Sequence, residues 1–493
     1  MILSRHFFSI VKFIFLIAFF LLLSCNKNEE FFESAICIEN ITLIDAKSGF
    51  RPNMTLVIKG NKIFNVFKTE DIKLSKENKI INGSNKYIIP GLWDSHVHIG
   101  YDTSLTEHML SLFLTNGVTS IRDTGGEIGY LKKWKELSLE FQDSLPRIMI
   151  SGPLIDGIPT VYDGSDPSHP TIGIGIDSEK AVIKMVDSLY DLGVDFIKAY
   201  EMLSPEVYKA LLDRAKEKGI KVSGHVPLSM DAISISNAGL NSMEHLRNLE
   251  FSLIKNPEKL LNERQQILNK NKDKHGDELR WKVYNQQRFN AIRNSDSVQL
   301  EVLLNTLKEN QTFQVPTLIL EKFYANRTFV DTSWQNGFNY LPKAIKLKWE
   351  KEISEFVKKE IDSTDFEYSD WMFSLVGKMN NAGVDLMAGT DTPILYLTPG
   401  LSLHEELASF VEAGLSELEA IKTATWTPAK YFGLDNELGN IEQGMIADLL
   451  ILDDNPIKNI KNIRNINSVI KNGRMFNREE LNILLNRIDN RQN

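Results

Sequence analysis

Apolar and polar positions divide this chain into three kinds of segment. Phe13 to Leu23 is an unbroken apolar run of eleven residues, too short at about 1.5 Å per residue to cross a bilayer of about 30 Å. Ala35 to Ile44 and Met54 to Phe67 read as strands, the second interrupted by a hairpin signal at Gly60-Asn61. Ile446 to Leu452 is nearly continuous aliphatic sequence, and Val469-Ile470-Lys471 runs into a second hairpin signal, Asn472-Gly473. Two strand-rich segments at opposite ends of the sequence predict one β-domain assembled from both of them.

From about Gly91 to Lys430, short apolar strands alternate with amphipathic helices, the pattern of βα units around a parallel sheet. The best-marked unit begins at Asp195. Ser204-Pro205-Glu206 gives an N-cap with proline at the first helical position, and Gly219 closes that helix. Strand candidates fall at 92–98, 119–123, 147–151, 196–200, 221–225, 242–245, 313–317 and 385–388. Eight parallel strands with helical crossovers predict a TIM-type (β/α)8 barrel. The expected organisation is a signal peptide at 1–24, a tether at 25–34, β-domain segments at 35–90 and 433–477, a barrel at 91–432 and a tail at 478–493. Two helical insertions, 247–312 and 318–384, make this barrel longer than usual. They read either as solvated rim helices or as a lid over the barrel mouth.

Composition narrows the class. With 42% hydrophobic and 25% charged residues, the sequence is that of a globular protein rather than a disordered or multi-span membrane chain. A net charge of −9, with no basic run, argues against a nucleic-acid partner. Arg5 and Lys12 precede the apolar run, and Ser24 and Cys25 follow it, as in a secretory signal. Leu22-Leu23-Ser24-Cys25 resembles a bacterial lipobox, which implies a lipidated Cys25 and an exported, outer-membrane lipoprotein. That would leave Cys37 as the one remaining thiol. Glu29, Glu30 and Glu33 resemble the surface-export tethers of some bacterial lipoproteins.

The chemistry gathers at the carboxyl ends of the expected strands, where active sites of this fold lie. Residues two apart on a strand share a face, so His96 and His98 of Asp94-Ser95-His96-Val97-His98 project together. Gly224-His225-Val226, Glu244-His245 and Ala388-Gly389-Thr390-Asp391 end later strands. Four of the nine histidines and one aspartate thus meet at one rim, a donor set that suits a divalent metal.

This set resembles the amidohydrolase superfamily, in its imidazolonepropionase-like and metal-dependent, Xaa-Pro-type peptidase branch. Ile89-Pro90-Gly91-Leu92-Trp93-Asp94-Ser95-His96-Val97-His98 is similar to its first-strand motif, and Ile441-Glu442-Gln443-Gly444-Met445-Ile446-Ala447-Asp448-Leu449 to its C-terminal β-segment. The resemblance implies a barrel beside a composite β-sandwich, and a hydrolase that uses metal-bound hydroxide. It also assigns Lys198, at the end of the fourth strand, a special part. A lysine pointing into a barrel is disfavoured as a cation, and a neutral amine can take up carbon dioxide as a carbamate. An ordinary salt-bridged lysine is the alternative. By the resemblance, one metal takes His96, His98, the N6-carboxylated Lys198 and Asp391, and the other takes the same carbamate, His225 and His245. Zinc suits this thiolate-free set, without excluding manganese, cobalt or iron.

In this reading Asp391 also carries the proton of the attacking water, and Tyr200, two residues after Lys198, hydrogen-bonds the developing oxyanion. Alternatively Tyr200 simply packs. The substrate expected is a small molecule or peptide with a C–N bond: a dipeptide, an Xaa-Pro peptide or an N-acyl amino acid. The competing readings are a mononuclear cyclic amidohydrolase and a metal-binding lipoprotein without turnover. The loop from Ser151-Gly152-Pro153 to Gly175, with His169, is expected to touch substrate. His404, beside Glu405 and Glu406, is expected to cap a helix. His108 and His275 read as surface or helix-face residues, and Arg122 and Asp123 as groups that orient the second strand.

Overall fold

The computed structural model describes residues 29–165, 169–271 and 274–490. The expected signal peptide and Cys25 lie outside these residues. Among the described residues, no helix is long and apolar enough to cross a membrane.

The architecture is α/β with a separate mixed sheet. Leu92–Val97, Val118–Asp123 and Arg147–Ile150 form a three-stranded parallel sheet. A second sheet runs in the order Gly173–Gly175, Leu154–Asp156, Phe196–Ala199, Lys221–Gly224, Ser242–Glu244, Phe313–Val315, again all parallel. These strands are short and buried along most of their length, as expected where helices cover one face and side chains fill the other.

The expected run of eight strands is therefore interrupted in two places. The third strand stops at Ile150, where Gly152 turns through φ +74° and Pro153 has no N–H to donate. The chain resumes as Leu154–Asp156, and it is this segment, not Arg147–Ile150, that pairs with Phe196–Ala199. The backbone N–H of Asp195 still reaches Ile150 O at 2.9 Å, so the two sheets touch at this point. At the other margin, 385–388 forms no full strand. A single parallel bridge joins Leu386 to Gln314, and Ser95 N donates to Ala388 O at 2.8 Å.

Helices form where capping and periodicity foretold them. Ser204 Oγ accepts from Val207 N ahead of Pro205–Lys218, and Gly219 ends that helix at φ +69°. The insertions fold as helices, among them Pro257–Lys270, Gly276–Arg293, Lys343–Phe356 and Ser363–Ala382. Arg478–Asn490, expected as a tail, is a helix whose Leu481 is fully buried.

Strands from both ends of the chain share one sheet. Arg474–Asn477, Ile466–Lys471 and Leu449–Leu452 lead to Tyr87–Pro90, Ala35–Asp45, Gly49–Lys59 and Lys62–Lys68, with Lys79–Asn82 alongside Ala35–Asp45. The expectation of two stacked sheets is corrected here: one eight-stranded sheet curls on itself. Irregular registers at Ile38/Ile41, Ile41/Leu43 and Val57/Ile58 bend the strands. Ile63 then exchanges hydrogen bonds with Gly444 and Met445, both at 2.8 Å. Alternation divides the side chains. Ile88, Leu449 and Ile451 fill the curl, whereas Ile89, Leu450 and Leu452 pack toward the helices and parallel strands.

Candidate active site

His96 and His98 leave the end of Leu92–Val97 on one face, as the alternation requires. Asp94 fixes this strand end. Its carboxylate accepts from His96 N and Thr390 N, and from Thr390 Oγ1 at 2.7 Å. Complete burial pushes the Asp94 carboxyl up to about 7. Asp391 stands opposite at φ +66°, a conformation a non-glycine residue seldom adopts. Its N–H donates to His96 O at 2.8 Å, which turns its carboxylate toward both imidazoles. Oδ1 lies 3.3 Å from His96 Nε2 and 3.2 Å from His98 Nε2, and Oδ2 lies 3.9 Å from His245 Nε2.

The other two imidazoles complete the cluster. The His96 and His245 rings are 4.4 Å apart between centroids, and those of His225 and His245 are 4.9 Å apart. Each of the four uses Nδ1 outward. His96 Nδ1 meets Glu244 Oε2 at 2.6 Å, His98 Nδ1 meets Gly125 O at 3.0 Å, His225 Nδ1 meets Glu201 Oε1, and His245 Nδ1 meets Thr317 Oγ1 at 2.7 Å. Partners on Nδ1 fix each ring's orientation and leave Nε2 as the inward donor, as in a metal site.

Electrostatics favour the neutral form of three of the four imidazoles. Burial, and then the nearby Lys198, lower His96 and bring His225 down to about 3; burial also takes His245 well below its ordinary value. His98 moves the other way, because Asp391 outweighs its burial. Burial alone would raise Asp391, but facing His245 and His96 it is held well below the usual carboxylate range.

Lys198 is 1% exposed, and its Nζ has no hydrogen-bond partner. Burial brings the amine down to about 8. The salt-bridged alternative has no support among the described residues. Tyr200 is buried beside His225, ring centroids 4.2 Å apart, and its hydroxyl accepts from Arg280 Nη1 at 3.3 Å.

The structure thus brings His96, His98, Lys198, Tyr200, His225, His245 and Asp391 to the wall of one cavity of about 600 Å³. His169 lines it too, from the loop expected to meet substrate, and lies 3.2 Å from Asp277. Both insertions contribute walls, Arg280 and Trp281 from one and Trp349 and Glu352 from the other. His404 lies elsewhere, buried in a helix with Nε2 on Asn116 O. His108 is half-buried on its helix, and His275 is exposed beside Asp163. Arg122 holds Glu244 with two hydrogen bonds of 2.7 and 2.8 Å, and Asp123 accepts from Ile99 N and Gly125 N.

Sequence reasoning missed the anchors. Glu201 follows Tyr200 directly and serves both His225 and Tyr284, the latter at 2.6 Å. An acid next to the expected site was the available signal. Arg247, Arg280 and Trp281 carried none, because only folding of the insertion brings them to the cavity.

Protein comparisons agree with this geometry. Residues 369–476 match the Amidohydrolase family. Ochratoxinase of Aspergillus niger is 23% identical over 447 residues, covering 79% of this chain and 75% of the relative. A solved Xaa-Pro dipeptidase with methionine bound in its active site superposes with a TM-score of 0.64 at 21% identity, over 90% of this chain and 100% of that one. The bottromycin amidohydrolase structure gives a TM-score of 0.68 at 22% identity, over 93% and 91%. Residues 369–476 thus resemble the Amidohydrolase family, and these solved structures share the fold of this chain.

Proposed function

We propose that this protein cleaves amide bonds of dipeptides, Xaa-Pro peptides or N-acyl amino acids at a site built for two divalent cations, zinc being the best match to its donors. The observation that carries this reading is the pairing of four outward-anchored imidazoles with a buried, unpartnered lysine. His96, His98 and Asp391 already place donor atoms within 4.8 Å of one another. His225 and His245 form the second group, and a carboxylated Lys198 would serve both. The two parallel sheets, in contact at Asp195 and bridged by 385–388, are read as arcs of one (β/α)8 barrel.

Cations held there would supply an acidified water and a polarised carbonyl. The chain's own groups manage the protons. Asp391, an anion at neutral pH, takes the proton of the attacking water and returns it to the leaving nitrogen as the C–N bond breaks, giving a carboxylic acid and an amine. Tyr200, whose hydroxyl burial keeps protonated, donates to the oxygen that gains charge. Arg280 donates to that hydroxyl oxygen and so leaves its proton free to turn inward.

A second reading, a mononuclear cyclic amidohydrolase, draws on the compactness of His96, His98 and Asp391 alone. Metal analysis beside a screen of dipeptides, N-acyl amino acids and cyclic amides separates the two. About two ions per chain with linear-amide turnover supports the first, and one ion with cyclic-amide turnover the second. Metal without turnover would leave a binding protein. We also read the amino terminus as a lipoprotein signal processed at Cys25, anchoring the enzyme to the outer membrane. Cys25→Ser should then release it from the membrane fraction.

A further inference from the structure

The four imidazole anchors are not held alike. Glu244, behind His96, is gripped by Arg122, Ser223 and Ser242, all on the parallel strands. Gly125, behind His98, and Thr317, behind His245, sit just past the ends of their own strands. Glu201, behind His225, is fully buried and is held from elsewhere. Its Oε1 faces His225 Nδ1, and its Oε2 accepts from the Tyr284 hydroxyl at 2.6 Å. Tyr284 belongs to Gly276–Arg293, a helix of the first insertion. Arg247 lies 3.8 Å from Oε1, beyond hydrogen-bond range.

Tyr284 is itself clamped by both insertions. Arg288, one turn further on, lies between two rings, its guanidinium carbon 3.9 Å from the centroid of Tyr284 and 4.2 Å from that of Tyr368 on Ser363–Ala382. Arg288 Nε also donates to Glu250 Oε1 at 3.3 Å. At the start of the helix, a Cβ added to Gly276 would fall 2.6 Å from the carbonyl carbon of Thr160 and 2.7 Å from Pro159 O, so only glycine lets the helix lie this close to that loop. Arg280, Tyr284 and Arg288 recur every fourth residue and share one face. Trp281, from the same helix, lines the catalytic cavity.

We infer that Tyr284 is a positioning residue for the metal centre: through Glu201 it sets the orientation of His225, so the insertions complete the His225 half of the centre but not the half built on His96, His98 and Asp391. The inference rests on the two-cation reading and deepens it. Without the hydroxyl, Glu201 Oε2 would lose its donor inside a buried site, and the carboxylate could turn and take the imidazole with it.

Nuclear magnetic resonance on the metal-free protein gives a readout that needs no cation. The pairs His96–Glu244 and His225–Glu201 should each show an imidazole N–H proton downfield of the amides, assigned by its loss in His96→Gln or His225→Gln. Tyr284→Phe keeps the ring against Arg288, so the stack persists. It should shift or broaden the His225 resonance and leave that of His96 in place. Zinc titration against a competing chelator should then show one of two ions bound about tenfold less tightly and the other unchanged. Tyr368→Phe removes a hydroxyl that has no hydrogen-bond partner from the far side of the same stack, and should change neither readout. The inference is overturned if the His225 resonance stays put in Tyr284→Phe, if both resonances move together, if two ions are held as tightly as before, or if Tyr368→Phe has an equal effect. A displaced His225 resonance in a protein that binds one ion per chain would refute the two-cation reading and leave the positioning of His225 standing.

Discussion

Glu244 Oε2 lies 2.6 Å from His96 Nδ1, while the next residue, His245, turns its own imidazole into the cluster. One strand end thus supplies a donor and the group that orients another donor. Arg122 grips the same carboxylate and is itself fully buried. Glu244→Gln should lower metal affinity by about 10–100-fold while the fold survives. A chelator competition would check this. Glu244→Ala should be worse, because Arg122 would keep a buried charge without its partner, at a cost of about 3–5 kcal/mol.

Asp391→Asn keeps the shape of the side chain but removes the proton acceptor. A loss of kcat of about 10²–10⁴-fold is expected, with a smaller change in KM. Lys198→Ala should reduce the metal content from about two ions to about one. Mass spectrometry for metals and steady-state kinetics on the same preparations would read both effects.

The buried amine of Lys198 titrates at about 8, below the ordinary 10.5. The unfolded chain therefore holds one more proton than the folded one between those values, and metal-free stability should rise as pH climbs through that window. Carbon dioxide reacts only with the neutral amine, whose fraction grows from about 10% at pH 7 to about 90% at pH 9. At a fixed concentration of dissolved carbon dioxide, loading of the second ion should be faster at pH 9 than at pH 7. Lys198→Met should abolish both trends.

Gly389 packs against His96 so closely that an added Cβ would fall 2.8 Å from His96 Cβ and 3.0 Å from its N. Gly389→Ala should therefore push the first-strand histidines away from Asp391. The expected result is metal affinity lowered about tenfold or more, with a drop in Tm of a few degrees. Metal titration beside thermal unfolding would separate the two effects.

Much of the site could be read from the sequence because it obeys local rules. His96 and His98 share a face through strand alternation, His225 and His245 each follow a short buried strand, and Asp391 follows the apolar segment 385–388. The capped helix Pro205–Lys218 was equally visible, through Ser204, Pro205 and Gly219. The break at Gly152-Pro153 was not, because the same two residues also read as an ordinary loop start. The curl of the terminal sheet was hidden as well, since it depends on bulges near Ile41 and Val57 and on Ile63 meeting Gly444. Arg280 reaches the cavity only through the packing of an insertion, and no periodicity reports that.

The curled sheet also dictates an order of assembly. Tyr87–Pro90 must wait for Leu449–Leu452, which the ribosome delivers only after the whole catalytic body has emerged. Until then two strand margins, at Tyr87–Pro90 and Lys62–Lys68, stand open to pairing with other chains. A nascent or truncated product that stops before residue 444 should need chaperone protection, and the final thirty-odd residues of the sheet act as the latch that ends this exposure.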